Sequence, residues 1–273
     1  MPPAVLPAPR PAPPHPISLS VVKLPAVERH KYAFQKSHPA KRSLYPRGKV
    51  VTMPSYDPSH PPTVLHFQSV VFEHHFTEML RIGVLASHQG TNFQAIVNAC
   101  QQGRVQANVA LLICNNSDAP VMAKAWESGV PAVHLSSLTH PSLGVLDDAM
   151  NNHLVDEDID LIVLAGYMKK LGPRVLASYR DRIINVHPSL LPRHGGPGFY
   201  GSRVHKAVIE SGDRETGATV HLVNDDYDMG EALLQEKIKV NRDDTPDSLA
   251  ERLYPIEHKL LILVIQQFAA GKR

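Results

Sequence analysis

The chain has 273 residues, with 28 Lys and Arg against 26 Asp and Glu, and its formal charge of +2 is unevenly placed. Residues 1–78 hold 15 of the 24 prolines and nine Lys and Arg against four acidic residues, so that stretch carries +5 and the remaining 195 residues carry −3. The basic excess therefore gives no ground for nucleic-acid binding by the rest of the chain. Two cysteines, Cys100 and Cys114, with no CxxC, speak against a disulfide framework and for a reducing compartment. No apolar run approaches the ~20 residues of a membrane span.

In residues 1–62, proline runs such as Pro11-Ala12-Pro13-Pro14-His15-Pro16 break any period of 2 or 3.6, and the stretch reads as disordered. Residues 1–78 are expected to be a tail. It is either a basic, acid-poor organellar leader, a solvated tail without a role, or an upstream start before Met53 or Met79, with the last two favoured. The expected compartment is the cytoplasm, or an organelle if the tail is a transit peptide.

The folded domain is expected over residues 79–273. Residues 82–86 are a short apolar strand, and Ser87-His88-Gln89-Gly90-Thr91-Asn92 is a turn. Residues 93–102 form a helix with Phe93, Ile96, Val97 and Cys100 on one face. Strands at 109–114, 131–135 and 161–165 alternate with helices at 120–128, 143–153 and 173–179. A further strand, 183–187, follows. This alternation predicts an α/β, Rossmann-like three-layer fold, whose parallel sheet is covered on both faces and binds ligands at the carboxyl ends of its strands. A glycine-rich loop at 195–201 and a helix at 204–211 come next. Strands at 217–223 and 233–240, joined by a short turn, fit an antiparallel addition at the sheet edge. Thr245 caps a last helix with Pro246 in its first position and a bend expected at Pro255.

Chemistry concentrates in Asn185-Val186-His187-Pro188-Ser189-Leu190-Leu191-Pro192. Side chains alternate along a strand, so Asn185 and His187 share a face, and Pro188 helps to end the strand. An amide donor beside a titratable ring suits a reaction that develops an oxyanion; the plainer reading is a strand end whose polar groups bond to nearby backbone. Gly90 at a strand–turn–helix junction fits a phosphate cradle, or equally a plain turn capped by Thr91 or Asn92. The acidic turn Asp225-Asp226-Tyr227-Asp228 lacks the spacing of a calcium loop, and no metal is expected.

The N-x-H-P-S-L-L-P run, the strand Gly217-Ala218-Thr219-Val220-His221-Leu222-Val223 and the downstream Tyr227-Asp228-Met229-Gly230 resemble the folate-dependent formyltransferases. The resemblance covers about 190 residues and is nearest to the branch that acts on glycinamide ribonucleotide. It implies formyl transfer from 10-formyltetrahydrofolate to the amine of that ribonucleotide in purine synthesis, with no metal, no nucleic acid and no membrane, by a monomer or homodimer. Carried over residue by residue, Asn185, His187 and Asp228 would be catalytic, with His187 a charged donor whose pKa Asp228 raises. Gly90, Thr91 and Asn92 would hold the phosphate, and Glu257 would contact the ribonucleotide. Met168, Lys169, Lys170 and Leu171, with Asn224, Asp225, Asp226 and Tyr227, would form the folate site. Thr219 and His221 would support the trio from behind. Departures from the family pattern are His88-Gln89 ahead of Gly90, Lys169 where Arg is common, Tyr254 where Gln often contacts substrate, and a longer 195–201 loop. The alternatives are a formyltetrahydrofolate hydrolase, whose regulatory domain the Pro-broken tail does not match, and a methionyl-tRNA formyltransferase, which continues into a tRNA-binding domain. A non-enzymatic nucleotide-binding α/β module would leave the trio unused.

Overall fold

The structure, a computed structural model, describes residues 79–271 together with Ser55–Tyr56 and Leu65–His66. The chain divides into two compact units, Met1–His74 and His75–Arg273. In the first, Ser55–Tyr56 pairs antiparallel with Leu65–His66. The expected tail character of residues 1–78 otherwise lies outside the described residues.

The second unit is built on strands β1 (Leu80–Ala86), β2 (Ala107–Cys114), β3 (Ala132–His134), β4 (Leu161–Leu164), β5 (Ile183–His187), β6 (Glu215–Leu222) and β7 (Ala232–Lys239). Helices α1 (Thr91–Gln101), α2 (Pro120–Glu127), α3 (Leu143–Asp156), α4 (Pro173–Ser178), α5 (Ser202–Glu210) and α6 (Pro246–Ala269) complete it. The sheet order is β3-β2-β1-β4-β5-β6-β7. Pairing is parallel from β3 to β5 and antiparallel between β5 and β6 and between β6 and β7. The predicted mixed α/β sheet is thus observed.

The unbroken apolar strands make sense because each feeds two cores. Ile82 and Val84 of β1, Leu161 and Val163 of β4 and Ile184 of β5 point into one, closed by Phe93, Ile96 and Val97 of α1 and Leu260, Leu261 and Val264 of α6. Leu85, Ile162, Leu164 and Ile183 point into the other, with Met150 and Leu154 of α3 and Val175 of α4. Strict alternation between two buried faces leaves no solvent-facing position, so no polar period survives in the sequence. Asp147 of α3 caps α4, accepting from the N–H groups of Arg174 (2.7 Å) and Val175 (3.2 Å). Thr245 and Ser248 form a reciprocal capping box at the start of α6, which runs on with Pro255 inside it.

Element ends shift by a few residues from expectation. The largest difference that matters for function is α1, which starts at Thr91, directly on Gly90, and not at residue 93.

Candidate active site

The chain order reverses between β1 and β4, and the loops leaving their carboxyl ends open a crevice there. Buried Ser87, just past β1, ties the rim together: its hydroxyl accepts from the Met168 N–H (2.9 Å) and donates to Asn115 Oδ1 (2.6 Å).

At the next turn Gly90 adopts φ 69°, and a Cβ there would lie 2.4 Å from a Val121 methyl, so both backbone angle and packing require glycine. No side chain caps α1, so neither Thr91 nor Asn92 plays the capping role considered above. Asn92 instead donates from Nδ2 to Glu257 Oε2 of α6 at 2.9 Å, while its own Oδ1 is buried without a partner. Burial pushes the Glu257 carboxyl up to about 7 against the opposing effect of the Asn92 hydrogen bond. Lys124 Nζ donates to the Gln89 carbonyl (2.8 Å) and sets a cation beside the turn.

The second group sits on β5 and β6. The antiparallel register places Asn185 opposite His221 and His187 opposite Thr219, so all four share one face. Asn185 Nδ2 lies 3.1 Å from His221 Nε2, and His221 Nδ1 lies 2.8 Å from the Leu222 carbonyl. A carbonyl only accepts, so His221 carries hydrogen on Nδ1 and its Nε2 accepts from the Asn185 amide. That leaves the second amide hydrogen of Asn185 for another partner. By the same logic His187 donates from Nε2 to the His194 carbonyl at 2.8 Å. Its Nδ1 then faces Asp228 Oδ2 at 3.6 Å, and Asp228 Oδ1 is 3.6 Å from His221 Nε2. Asp228 is held by the Gly196 N–H (2.9 Å). Of the four described non-glycine residues with positive φ, two, His194 (53°) and Asp228 (56°), are those that touch His187.

Burial lowers the His187 pKa below 6.5 and outweighs Asp228 and the His194 carbonyl, which both raise it. This corrects the expectation that Asp228 leaves His187 charged at rest: the ring is neutral near pH 7, because a site 4% exposed penalises the cation more than one carboxylate at 3.6 Å repays. Asp228 itself is pushed up by burial, whereas the Gly196 N–H that donates to it holds it down, and the net direction is below the usual 3.8.

About 490 Å³ of space joins the two groups. Its walls include Gly90, Thr91, Asn92 and Glu257 at one end, and Asn185, His187, His221 and Asp228 at the centre. Met168, Lys169, Lys170 and Leu171 face Asn224, Asp225, Asp226 and Tyr227 on the remaining side, where Lys170 Nζ stands 5.5 Å from the Tyr227 ring centre. Tyr254 and the glycine-rich residues Gly196, Gly198 and Gly201 also line it. Thr219 is not in the wall. Its hydroxyl donates to the Ser189 carbonyl (2.7 Å) and accepts from the Leu191 N–H (3.1 Å) and Gln235 (2.9 Å), which braces the N-x-H-P-S-L-L-P loop from behind.

Sequence reasoning missed Gln235, the His194–Asp213 contact and His205. His205 lines the cavity from α5, is buried with Nδ1 unpartnered, and has its pKa lowered to about 4 by burial and then by His187. A single His in an amphipathic helix gave no signal of this. Among the described residues no group of three or more His, Cys, Asp or Glu is placed to hold a metal ion, and no helix is long and apolar enough to cross a membrane.

Residues 80–265 match the family described as formyl transferase. The chain belongs to that family. Relatives of this formyl transferase include the phosphoribosylglycinamide formyltransferase of Haemophilus influenzae, 39% identical over 71% of this chain and 89% of that protein. The chloroplastic enzyme of the same name from Arabidopsis thaliana is 39% identical over 68% of this chain, which spans 64% of the plant protein's length. Among solved structures, glycinamide ribonucleotide transformylase 1 from Symbiobacterium toebii superposes with a TM-score of 0.68 and 36% identity, covering 75% of this formyl transferase and 92% of that chain.

Proposed function

We propose that this formyl transferase moves the formyl group of 10-formyltetrahydrofolate to the primary amine of glycinamide ribonucleotide. The observation that carries the reading is the single cavity that links an uncapped helix start at Gly90 to the Asn185, His187 and Asp228 cluster. A substrate with a phosphate at one end and an amine at the other spans such a cavity, and the names of the relatives agree with it.

At the phosphate end, Gly90, Thr91 and Asn92 offer backbone N–H groups and the positive end of α1. The Glu257 carboxyl, which lines the cavity with one oxygen held by Asn92, is an acceptor suited to a ribose hydroxyl. The folate fits the opposite wall. Apolar Leu164, Leu171, Leu176 and Val223 would face a flat ring, and the 168–170 and 224–227 segments would meet its polar edge. When bound, the folate supplies the formyl carbon.

The chain's own residues then divide the work. Asn185 donates its spare amide hydrogen to the formyl oxygen as negative charge develops there, and His221 fixes the orientation of that amide. The amine must lose a proton as it forms the new C–N bond. His187 Nδ1, the ring nitrogen not engaged by His194, takes it, and Asp228 stabilises the resulting imidazolium. The proton is then available to the departing folate nitrogen. His187 is thus charged during the reaction and neutral before it. No metal is assigned a part, and no side chain forms a covalent bond to the formyl group. The cytoplasm, and a monomer or homodimer, are the setting proposed for the enzyme, with an organelle as the alternative that the plant relative's name brings forward.

The purified full chain is expected to consume 10-formyltetrahydrofolate in step with added glycinamide ribonucleotide and to stop when the amine is exhausted. Folate turnover at the same rate without the amine would replace this reading with a hydrolase.

A further inference from the structure

Both neighbours of His187 are reached through one short segment, residues 193–196. Ser189 Oγ donates to the Arg193 carbonyl (2.6 Å) and anchors its start. The His194 side chain turns away from the site to Asp213, with Nε2 2.7 Å from Oδ2, and Arg193 approaches the other carboxylate oxygen at 3.7 Å. The His194 carbonyl meanwhile accepts from His187 Nε2 (2.8 Å), and two residues on the Gly196 N–H donates to Asp228 (2.9 Å). A left-handed backbone at a residue with a Cβ persists only where its surroundings hold it. The Asp213 hydrogen bond is the tie that holds His194 there.

We propose that Asp213 and His194 are positioning residues: they pin the His194 carbonyl on His187 Nε2, so that nitrogen keeps its hydrogen and all proton exchange is confined to Nδ1, facing Asp228. The two neutral forms of a histidine are separated by little, and one fixed acceptor decides between them. Without it, His187 could place its hydrogen on Nδ1, against Asp228, and leave no base for the incoming amine. The proton balance is simple. Nδ1 gains the proton that the amine loses, and Nε2 neither gains nor loses one. The titratable groups around His187 are Asp228 from the β6–β7 turn, His221 from β6, His194 from the segment itself and His205 from α5. Asp213 does not line the cavity and reaches His187 only through the 193–196 segment, by its hydrogen bond to His194 and its longer contact with Arg193.

The inference about catalysis rests on the proposed formyl transfer, whereas the hydrogen position on His187 does not, so the test reads both. Asp213→Ala, His194→Ala, the double variant and Asp213→Asn are made in the full chain, and the side-chain ¹⁵N shifts of His187 are recorded through a pH titration. Wild type is expected to show hydrogen on Nε2. Asp213→Ala should show a mixture of the two forms and a lower His187 pKa, since a carbonyl on Nε2 favours the cation. Its kcat is expected to fall on the order of tenfold with both KM values unchanged. The double variant should lose no more than either single one, and Asp213→Asn, which keeps an acceptor, should regain most of the rate. Wild-type ¹⁵N shifts and kcat in both single variants would overturn the proposal, as would rate losses that merely add and leave the His187 titration in place. If formylation fails altogether, the ¹⁵N arm still decides the positioning role.

Discussion

Glu257→Gln tests the buried carboxyl most directly. The Glu257 side chain is 6% exposed and its pKa is pushed up to about 7 from 4.5, so the folded chain holds this proton more tightly than the unfolded chain. Stability therefore falls as pH rises from 4.5 to 7 and stays low above that. At about 1.36 kcal/mol per pKa unit, the penalty is roughly 3 kcal/mol at pH 8 and under about 1 kcal/mol at pH 5. Glutamine carries no charge to desolvate. Its Oε1 can still accept from Asn92 Nδ2, and its amide can donate to Asn92 Oδ1, which lacks a partner. Urea unfolding of wild type and Glu257→Gln, side by side at pH 8 and pH 5, removes the titration of every other group from the difference. The variant is expected to be more stable by about 2–3 kcal/mol at pH 8, with most of that gain gone at pH 5. An equal difference at both pH values, or a more stable wild type at pH 8, would refute the argument. The same change should raise KM for the ribonucleotide, a trade of binding for stability.

Two further outcomes follow from the cluster around His187. Because burial holds its pKa below 6.5 in the unliganded chain and the neutral ring is the base, kcat/KM for the formyl donor should decline on the acid side with an apparent pKa under 6.5. A rate that instead falls as pH rises through 6.5 would reinstate a ring charged at rest. Asp228→Asn can still accept from the Gly196 N–H but removes the charge beside Nδ1; kcat should drop by about 10²–10⁴, with KM for both substrates little changed. Steady-state kinetics with each substrate varied in turn would show it, and an undiminished kcat would remove Asp228 from the reaction.

The strands and the shared face of Asn185 and His187 were legible because they rest on local periodicity. Ile183, Asn185 and His187 alternate with Ile184 and Val186 however the rest of the chain folds. The spacing of Thr219 and His221 was equally local, but their exact opposition to His187 and Asn185 depends on a register that no short window encodes. Asp213 and His194 are 19 residues apart and carry no motif; only the turn of the 193–196 segment brings them together. The charge state of His187 was misread because its neighbour, Asp228, was visible in the sequence and its burial was not. Glu257 was found through resemblance alone. A carboxylate in an amphipathic helix reads as a solvated face until the packing of α1 on α6 encloses it.

The distance along the chain between Gly90 and Glu257 has a consequence for the enzyme during synthesis. The Gly90 turn is made well before α6, and its Asn92 has no Glu257 to bind until α6 is made and packs on α1. Asn185 and His187 likewise wait for β6 and the Asp228 turn. A nascent chain that has released β1 to β5 already holds every buried residue of the core under α3 and α4, but not the residues of β6 and α6 that close the other core, so activity should wait until α6 docks. Partial products would neither bind the ribonucleotide nor spend the formyl donor.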